Sequence, residues 1–203
     1  MKGIFGHVTE WLPSLAIVVA ILFCWELFVR IWDIADWLLP APSAVGYTLY
    51  DSAGLLAGHT LVTLEEVILG FVLALISGMV LASAITLSKT IEKALYPFII
   101  ASQTVPIIVI APMLLVWIGY GLTPKIIVVA LISFFPIVVK SVDGMRSVDS
   151  DLHKMMRTMG ANRWTIFLKV QVPISMPYLF SGLRVAIAVS VIGAVIGLSL
   201  IHI

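Results

Sequence analysis

The residues that could do chemistry are few, and the clearest are two polar side chains inside a long apolar stretch. Gln103 and Thr104 are the strongly polar pair in the middle of residues 95–119, and Pro106 follows them. An amide and a hydroxyl can hydrogen-bond a polar solute, so we interpret Gln103, Thr104 and Pro106 as candidates for lining a translocation path. The alternative is that the two side chains bond backbone carbonyls that the nearby prolines leave without partners.

The sequence carries none of the common motifs for binding ATP, activating a nucleophile or holding a metal. It has no glycine-rich loop ending in Gly-Lys-Ser/Thr, no Gly-x-Ser-x-Gly elbow, no His-Glu-x-x-His pair and no Cys/His cluster. Cys24 is a single cysteine and cannot form an internal disulfide, and a lone terminal His202 is a poor metal ligand. We therefore predict no catalytic, cofactor-binding or metal site in this chain.

The composition places the elements that carry these residues in a membrane. Hydrophobic residues make up 61% of the chain and charged residues 11%, against roughly 45–50% and about 25% in soluble domains. Because the 12 basic residues nearly balance the 11 acidic ones, nucleic acid is not expected as a partner.

A helix that crosses the hydrocarbon core needs about 20 mainly apolar residues, and five stretches of this sequence qualify. They are residues 13–32, 67–87, 95–119, 125–140 and 177–200. The predicted fold class is therefore all-α and polytopic. Glu26 and Arg30 in the first stretch share one helical face and can neutralise each other. Lys125 and Lys140 flank so short a stretch that both are expected to extend to opposite membrane interfaces.

Small residues and prolines indicate how these helices meet. The small residues at four-residue spacing are Gly70, Ala74, Gly78 and Ala82, and later Gly193 and Gly197. We predict that they allow close packing within one bundle, the alternative being a dimer seam. Pro97, Pro106 and Pro112 are expected to break 95–119 where it faces protein or a water-filled path. Prolines near the start of segment 37–59 favour extended or turn structure there.

The distribution of lysine and arginine predicts the orientation, because cytoplasmic loops collect these residues. Neither occurs in residues 31–88. The stretch around the connection between the fourth and fifth spans holds Lys140, Arg146, Lys154, Arg157, Arg163 and Lys169. We predict that the N-terminus and residues 140–169 lie in the cytoplasm and that residues 31–66 lie outside.

The same basic connection has the signals of two short helices. Asp149 or Ser150 can cap the first, which Gly160 ends, and Asn162 can cap the second, which Pro173 stops. The apolar stripes are Leu152, Met155, Met156 and Met159 in the first helix and Trp164, Phe167 and Leu168 in the second. An alternative is an amphipathic anchor held on the membrane surface by anionic lipid.

Residues 156–173, together with Ser181-Gly-Leu-Arg184, resemble the signature loop of ABC importer permeases. In that family the loop is a coupling helix that docks into a groove on a cytoplasmic ATPase. The resemblance implies the helical bundle of a type I ABC importer permease (MetI-like), with a coupling loop at about residues 141–173. It assigns the coupling role to Met155, Met156, Arg157, Met159, Gly160, Ala161, Trp164, Phe167 and Pro173. The family's usual Glu-Ala-Ala triplet is Lys154-Met155-Met156 here.

Other motifs extend the resemblance over about residues 39–197. Leu39-Pro-Ala-Pro-Ser43 and Trp117-Ile-Gly-Tyr-Gly121 are similar to the nitrate, sulfonate and taurine branch of the family. Ser102-Gln-Thr-Val-Pro-Ile107 and Val191-Ile-Gly-Ala-Val195 are most similar to permeases assigned to hydroxymethylpyrimidine, a thiamine precursor.

The resemblance implies the transmembrane permease subunit of an ATP-driven importer in a bacterial inner membrane. Expected partners are a cytoplasmic ABC ATPase dimer that binds ATP and magnesium, an extracytoplasmic solute-binding protein, a second permease subunit in a homodimer, and membrane lipid. The alternative function is a secondary transporter driven by an ion gradient. Such a protein carries acidic residues within the membrane, and here we count only Glu26, which Arg30 compensates.

The resemblance also predicts the domain organisation. Residues 1–12 are expected to be a cytoplasmic N-terminus and residues 13–200 a transmembrane permease domain that includes the coupling loop. The family has a further helix after the fifth span and continues near Gly197 with a glutamate and an aromatic residue. We interpret residues 198–203 as a truncation or a reading-frame artefact.

Overall fold

The predicted all-α class is confirmed. The computed structural model describes the backbone of residues 4–201 and the side chains of residues 12–199, and His202 lies outside them. The described backbone forms nine α-helices and one π-helical turn, without a strand. They are α1 (Ile4–Ile31), α2 (Pro42–Asp51), α3 (Ala53–Leu87), α4 (Lys89–Ser102), α5 (Ile107–Ile118), α6 (Leu122–Arg146), α7 (Ser150–Thr158), α8 (Arg163–Ile166), the π turn (Phe167–Gln171) and α9 (Val172–Ile201).

Within the described residues, four helical stretches are long and apolar enough to cross a membrane. They are Leu12–Ile31, Ala53–Leu87, Leu122–Arg146 and Arg163–Ser199, and the bent pair of α4 and α5 makes up to five. The prediction that Pro173 stops a helix is wrong, because Pro173 lies in the first turn of α9. There the π turn precedes it, and Val172 N–H bonds Phe167 C=O five residues back. This wider turn gives room to a proline ring that would clash in a regular α-helix.

Residues 95–119 are not one continuous helix, and the break predicted for this stretch is present. α4 begins earlier, at Lys89, because the Ser88 hydroxyl accepts a hydrogen bond from the Ile91 N–H and caps the helix. α4 and α5 then meet at a 99° bend over residues 103–106. Of the three prolines, only Pro106 lies at the break, in extended backbone at the N-cap of α5.

The described residues up to Leu61 form one compact unit, and those from Val62 onward form a second. In the first unit the predicted pairing of Glu26 with Arg30 is present, with Arg30 Nε donating to Glu26 Oε1 at 2.7 Å. Ser43 joins them: its hydroxyl donates to Oε1 at 2.7 Å and its N–H to Oε2 at 3.0 Å.

The prediction that segment 37–59 lacks helix is wrong. Pro42 starts α2 instead of preventing it. A proline in the first helical position needs no N–H partner, and its fixed φ already suits a helix. α3 likewise begins at Ala53, well before the start predicted at residue 67.

In the second unit α6 packs between α3 and α9. The small residues of α3 are buried against α6: a Cβ added at Gly70 would lie 2.6 Å from Val129 Cβ, and one at Gly78 would lie 3.0 Å from Ile137 Cγ2. On α9, a Cβ at Gly193 would lie 3.0 Å from Ile132 Cδ1 of α6. The prediction of close packing within one bundle is therefore confirmed for these positions.

The close contact of α3 with α6 predicts that a larger residue at Gly70 destabilises the protein. Gly70→Ala should lower the free energy of unfolding by about 1–3 kcal/mol, because the added methyl overlaps Val129 and the backbone of Ile126. Gly58→Ala is the matched control in the same helix, since a Cβ there meets nothing within 4 Å. Unfolding of both variants in mixed micelles checks this, and equal stability of the two would contradict the packing.

Candidate functional site

The predicted helix, glycine, helix unit is present, and local hydrogen bonds fix its shape. Asp149 caps α7 by accepting the Asp151 N–H at 2.8 Å. At the other end, Gly160 N–H bonds Arg157 C=O and Ala161 N–H bonds Met156 C=O, both at 3.0 Å. This is a Schellman motif, which requires the positive φ of Gly160, here 82°.

α8 is capped as predicted, so the chain changes direction within a few residues. Asn162 Oδ1 accepts the Thr165 N–H at 2.7 Å and the Thr165 hydroxyl at 2.8 Å. With a Schellman motif ending α7 and this cap starting α8, the connection between the two helices is fixed by its own backbone bonds. The two helices are therefore presented as one ordered segment, which we name the α7–α8 segment, residues 149–171.

The apolar residues of the α7–α8 segment divide into an exposed set and a buried set. Met159 is 75% exposed and Trp164 62%, and Met155 and Leu168 are also exposed. Phe167 is only 5% exposed, and its ring meets the Trp164 ring edge-on at 6.0 Å. Of the residues assigned to coupling, Arg157, Gly160 and Pro173 are exposed, while Met156 and Ala161 are partly buried. Phe167 thus anchors the segment, and Met155, Met159 and Trp164 are apolar side chains left exposed on it.

An ion pair that the sequence analysis did not identify holds the end of α6 just before this segment. Arg146 Nη2 donates to Glu92 Oε1 of α4 at 2.7 Å. The guanidinium also lies 4.4 Å from the centre of the Tyr96 ring, within range of a cation–π contact. The start of the α7–α8 segment is thereby fixed to α4, a contact between residues too far apart in sequence for spacing to indicate.

The three candidate path residues come together at the bend between α4 and α5. Gln103 follows the last residue of α4, and Pro106 precedes the first residue of α5. Thr104 donates its hydroxyl to Ala101 C=O at 2.7 Å. That carbonyl also accepts the Thr104 N–H at 3.1 Å, so it is not one that a proline leaves without a partner. Gln103 is exposed, and no hydrogen bond of its side chain occurs among the described residues. At the bend the Gln103 amide is therefore exposed, and the Thr104 hydroxyl is engaged with the backbone.

A buried ion pair lies where the sequence analysis expected none. Glu66, assigned to the outer segment, is a fully buried residue of α3, and Lys125 Nζ of α6 donates to its Oε1 at 2.9 Å. The Lys125 ammonium group, which we expected at a membrane interface, is held by this buried carboxylate. The second carboxylate oxygen, Oε2, is buried without a hydrogen-bond partner among the described residues. The acidic residue that an ion-driven transporter needs is present, but a lysine compensates it.

Comparison with known proteins gives a consistent result. Residues 67–203 match the family model described as binding-protein-dependent transport system inner membrane component. A probable ABC transporter permease protein of Haemophilus influenzae is 36% identical over 186 residues, which are 92% of this chain and 76% of the relative. The riboflavin transport system permease protein of Chloroflexus aurantiacus is 37% identical over 193 residues, 93% of this chain and 72% of the relative. The formylaminopyrimidine transport permease protein of Halalkalibacterium halodurans is 34% identical over 178 residues, which are 87% of this chain and 71% of the relative.

Proposed function

This chain belongs to the family of binding-protein-dependent transport system inner membrane components, and from that premise we propose how it moves its solute. It is a multi-pass permease subunit of an ABC importer, and the family implies an ATPase and a binding protein as partners. We propose that its N-terminus and the α7–α8 segment are cytoplasmic. Two copies of the chain form the path, two ATPase subunits bind ATP and magnesium, and the permease itself is not catalytic.

The α7–α8 segment is the ATPase docking element. One feature carries this proposal: exposed apolar side chains, Met155, Met159 and Trp164, stand on a short helical unit in which α7 is capped at both ends and α8 at its N-terminus. A rigid apolar protrusion suits a groove on a partner, because tryptophan and methionine contribute strongly to buried interfaces and little ordering is needed on binding. A surface anchor in lipid would not require the positive φ at Gly160.

Movement of this element reaches the membrane through α9. α8 runs through the π turn into α9 without an intervening loop, and α9 packs closely along α6. A displacement of the α7–α8 segment would therefore tilt α9 as one lever. ATP-driven closure of two ATPases would move two such levers and switch the path between its inward and outward openings, which is alternating access.

We propose a neutral nitrogen heterocycle related to hydroxymethylpyrimidine as the solute, ahead of a sulfonate, taurine or nitrate. The relatives named for riboflavin and formylaminopyrimidine are 37% and 34% identical, and those named for aliphatic sulfonates and nitrate 26% and 25%. The bend at residues 103–106 carries no charge that would bind an anion. The Gln103 amide has both a donor and an acceptor, as recognition of a pyrimidine edge requires.

Reconstituted transport tests this proposal. Uptake of labelled hydroxymethylpyrimidine into proteoliposomes that hold the permease, its ATPase and its binding protein should require ATP and should fall at least tenfold in Gln103→Leu. Thr104→Val is the matched control, because its hydroxyl is already bonded to Ala101, and it should retain most of the uptake. Uptake that persists without ATP would contradict the proposed mechanism. Uptake that is unchanged in Gln103→Leu would contradict the proposed path.

A further inference from the structure

A small cavity with an unusual charge lies at the end of α3, bounded by the start of α4, by α7 and α8, and by the π turn. Its volume is about 130 Å³, and Lys89, Arg157 and Arg163 contribute to its lining. His153 and Gln171 add further hydrogen-bonding groups. The cavity is smaller than the roughly 300–1,000 Å³ of a pocket for a drug-sized ligand, so it suits one small polar group.

The cations of this cavity are not balanced by the protein. No acidic residue of the described chain lines it, and Lys89, Arg157 and Arg163 form no ion pair within 4.0 Å among the described side chains. Neighbouring cations behave differently, since Arg146 pairs with Glu92 at 2.7 Å and Lys154 with Asp151 at 2.9 Å. Three like charges around one cavity favour the binding of an anion there.

We propose that this cavity binds the phosphate group of an anionic phospholipid. Guanidinium groups match phosphate oxygens with paired, charge-assisted hydrogen bonds, and a lysine adds a point charge. Lys89 is also the first residue of α4, where the partial positive charge of a helix N-terminus favours an anion.

The position favours a lipid over a soluble phosphate. Thr86 and Leu87 form part of the cavity wall, and they are the last residues of Ala53–Leu87, a stretch long and apolar enough to cross a membrane. Their place at the end of such a stretch favours a lipid head group as the source of the phosphate. Anionic lipids of the cytoplasmic leaflet attract basic segments of this kind. This step rests on the cytoplasmic placement proposed for the α7–α8 segment.

Thermal unfolding of the purified full chain in a neutral detergent tests the site. Short-chain phosphatidylglycerol should raise the unfolding midpoint, and phosphatidylcholine or inorganic phosphate at the same concentration should not. The triple variant Lys89→Gln, Arg157→Gln, Arg163→Gln should need at least tenfold more phosphatidylglycerol for the same shift. The control Lys93→Gln, Lys154→Gln, Lys169→Gln removes equal charge outside this cavity and should respond as the unsubstituted chain does.

Each other outcome overturns the proposal. Equal responses of the two triple variants would show that the cavity is not the site, and an equal effect of phosphatidylcholine would show that the negative charge is not recognised. A shift with inorganic phosphate alone would assign the cavity to a soluble anion. If the triple variant does not fold, two single variants are compared instead: Arg163→Gln at the cavity and Lys154→Gln as its control. Because this measurement needs no ATPase, failure of the docking proposal would leave its result unaffected.

Discussion

Gly160→Val is expected to leave membrane insertion intact and to abolish recruitment of the ATPase. The side chain itself meets no obstacle, because a Cβ at Gly160 has nothing within 4 Å. The effect is on the backbone: φ is 82°, a region in which a β-branched residue is strained. Relieving the strain breaks the Schellman motif and separates Met159 from Trp164, so the docking surface loses its shape. Co-purification of the tagged permease with its ATPase measures this result.

Two further variants separate backbone geometry from general damage at this position. Gly160→Asn should retain most ATPase binding, because asparagine adopts positive φ more readily than other residues with a side chain. Met159→Asp should lose at least tenfold in ATPase affinity while folding normally, because Met159 is 75% exposed and a charge is unfavourable in an apolar groove. Normal ATPase binding by Gly160→Val would count heavily against the coupling role, and equal loss in Gly160→Val and Gly160→Asn would exclude the backbone explanation.

Removing one partner of the Glu66–Lys125 pair should cost about 3–5 kcal/mol of unfolding free energy, because the other charge is left buried and unpaired. Lys125→Met is expected to have the larger effect. Glu66 is fully buried and cannot regain water, whereas the Lys125 side chain is 14% exposed and can partly do so. Unfolding of the two single variants and the double variant in mixed micelles gives the coupling between them as a double-mutant cycle.

The double variant Glu66→Leu, Lys125→Met should recover most of the lost stability, since a well-packed apolar pair often replaces a buried ion pair without loss. Asp151 and Lys154 provide the control, because both are highly exposed and such a pair contributes about 1 kcal/mol or less. Additive effects of the two single substitutions would show that the buried charges do not depend on each other, which would contradict the geometry.

The α7–α8 segment was largely predictable from the sequence because its signals are local. A cap at Asp149, a glycine at 160 and a cap at Asn162 each act within a few residues, so residue type and spacing suffice to place them. The membrane class was equally accessible, because long apolar stretches have no stable alternative to burial in lipid or protein. The Glu26 and Arg30 pair followed from helical spacing alone.

The wrong predictions concern features that residue type and spacing alone do not determine. Whether a proline interrupts a helix depends on its position within the helix and on the turn before it. The residue type is the same at Pro42, Pro106 and Pro173, so it does not tell these cases apart. The sequence indicated broken helices but not which proline would produce the 99° bend.

The sequence by itself determined that this chain crosses a membrane, that its small residues allow close helix packing, and that a capped basic segment follows the fourth span. Only the tertiary structure decided which charges meet between different helices. Glu66 is separated from Lys125, and Glu92 from Arg146, by more than fifty residues in the sequence, and Lys89 lies at least as far from the Arg157 and Arg163 that line the same cavity. Helix periodicity determines which side chains share a face, but the energy of a charge depends on the partner that packing brings to it from another helix.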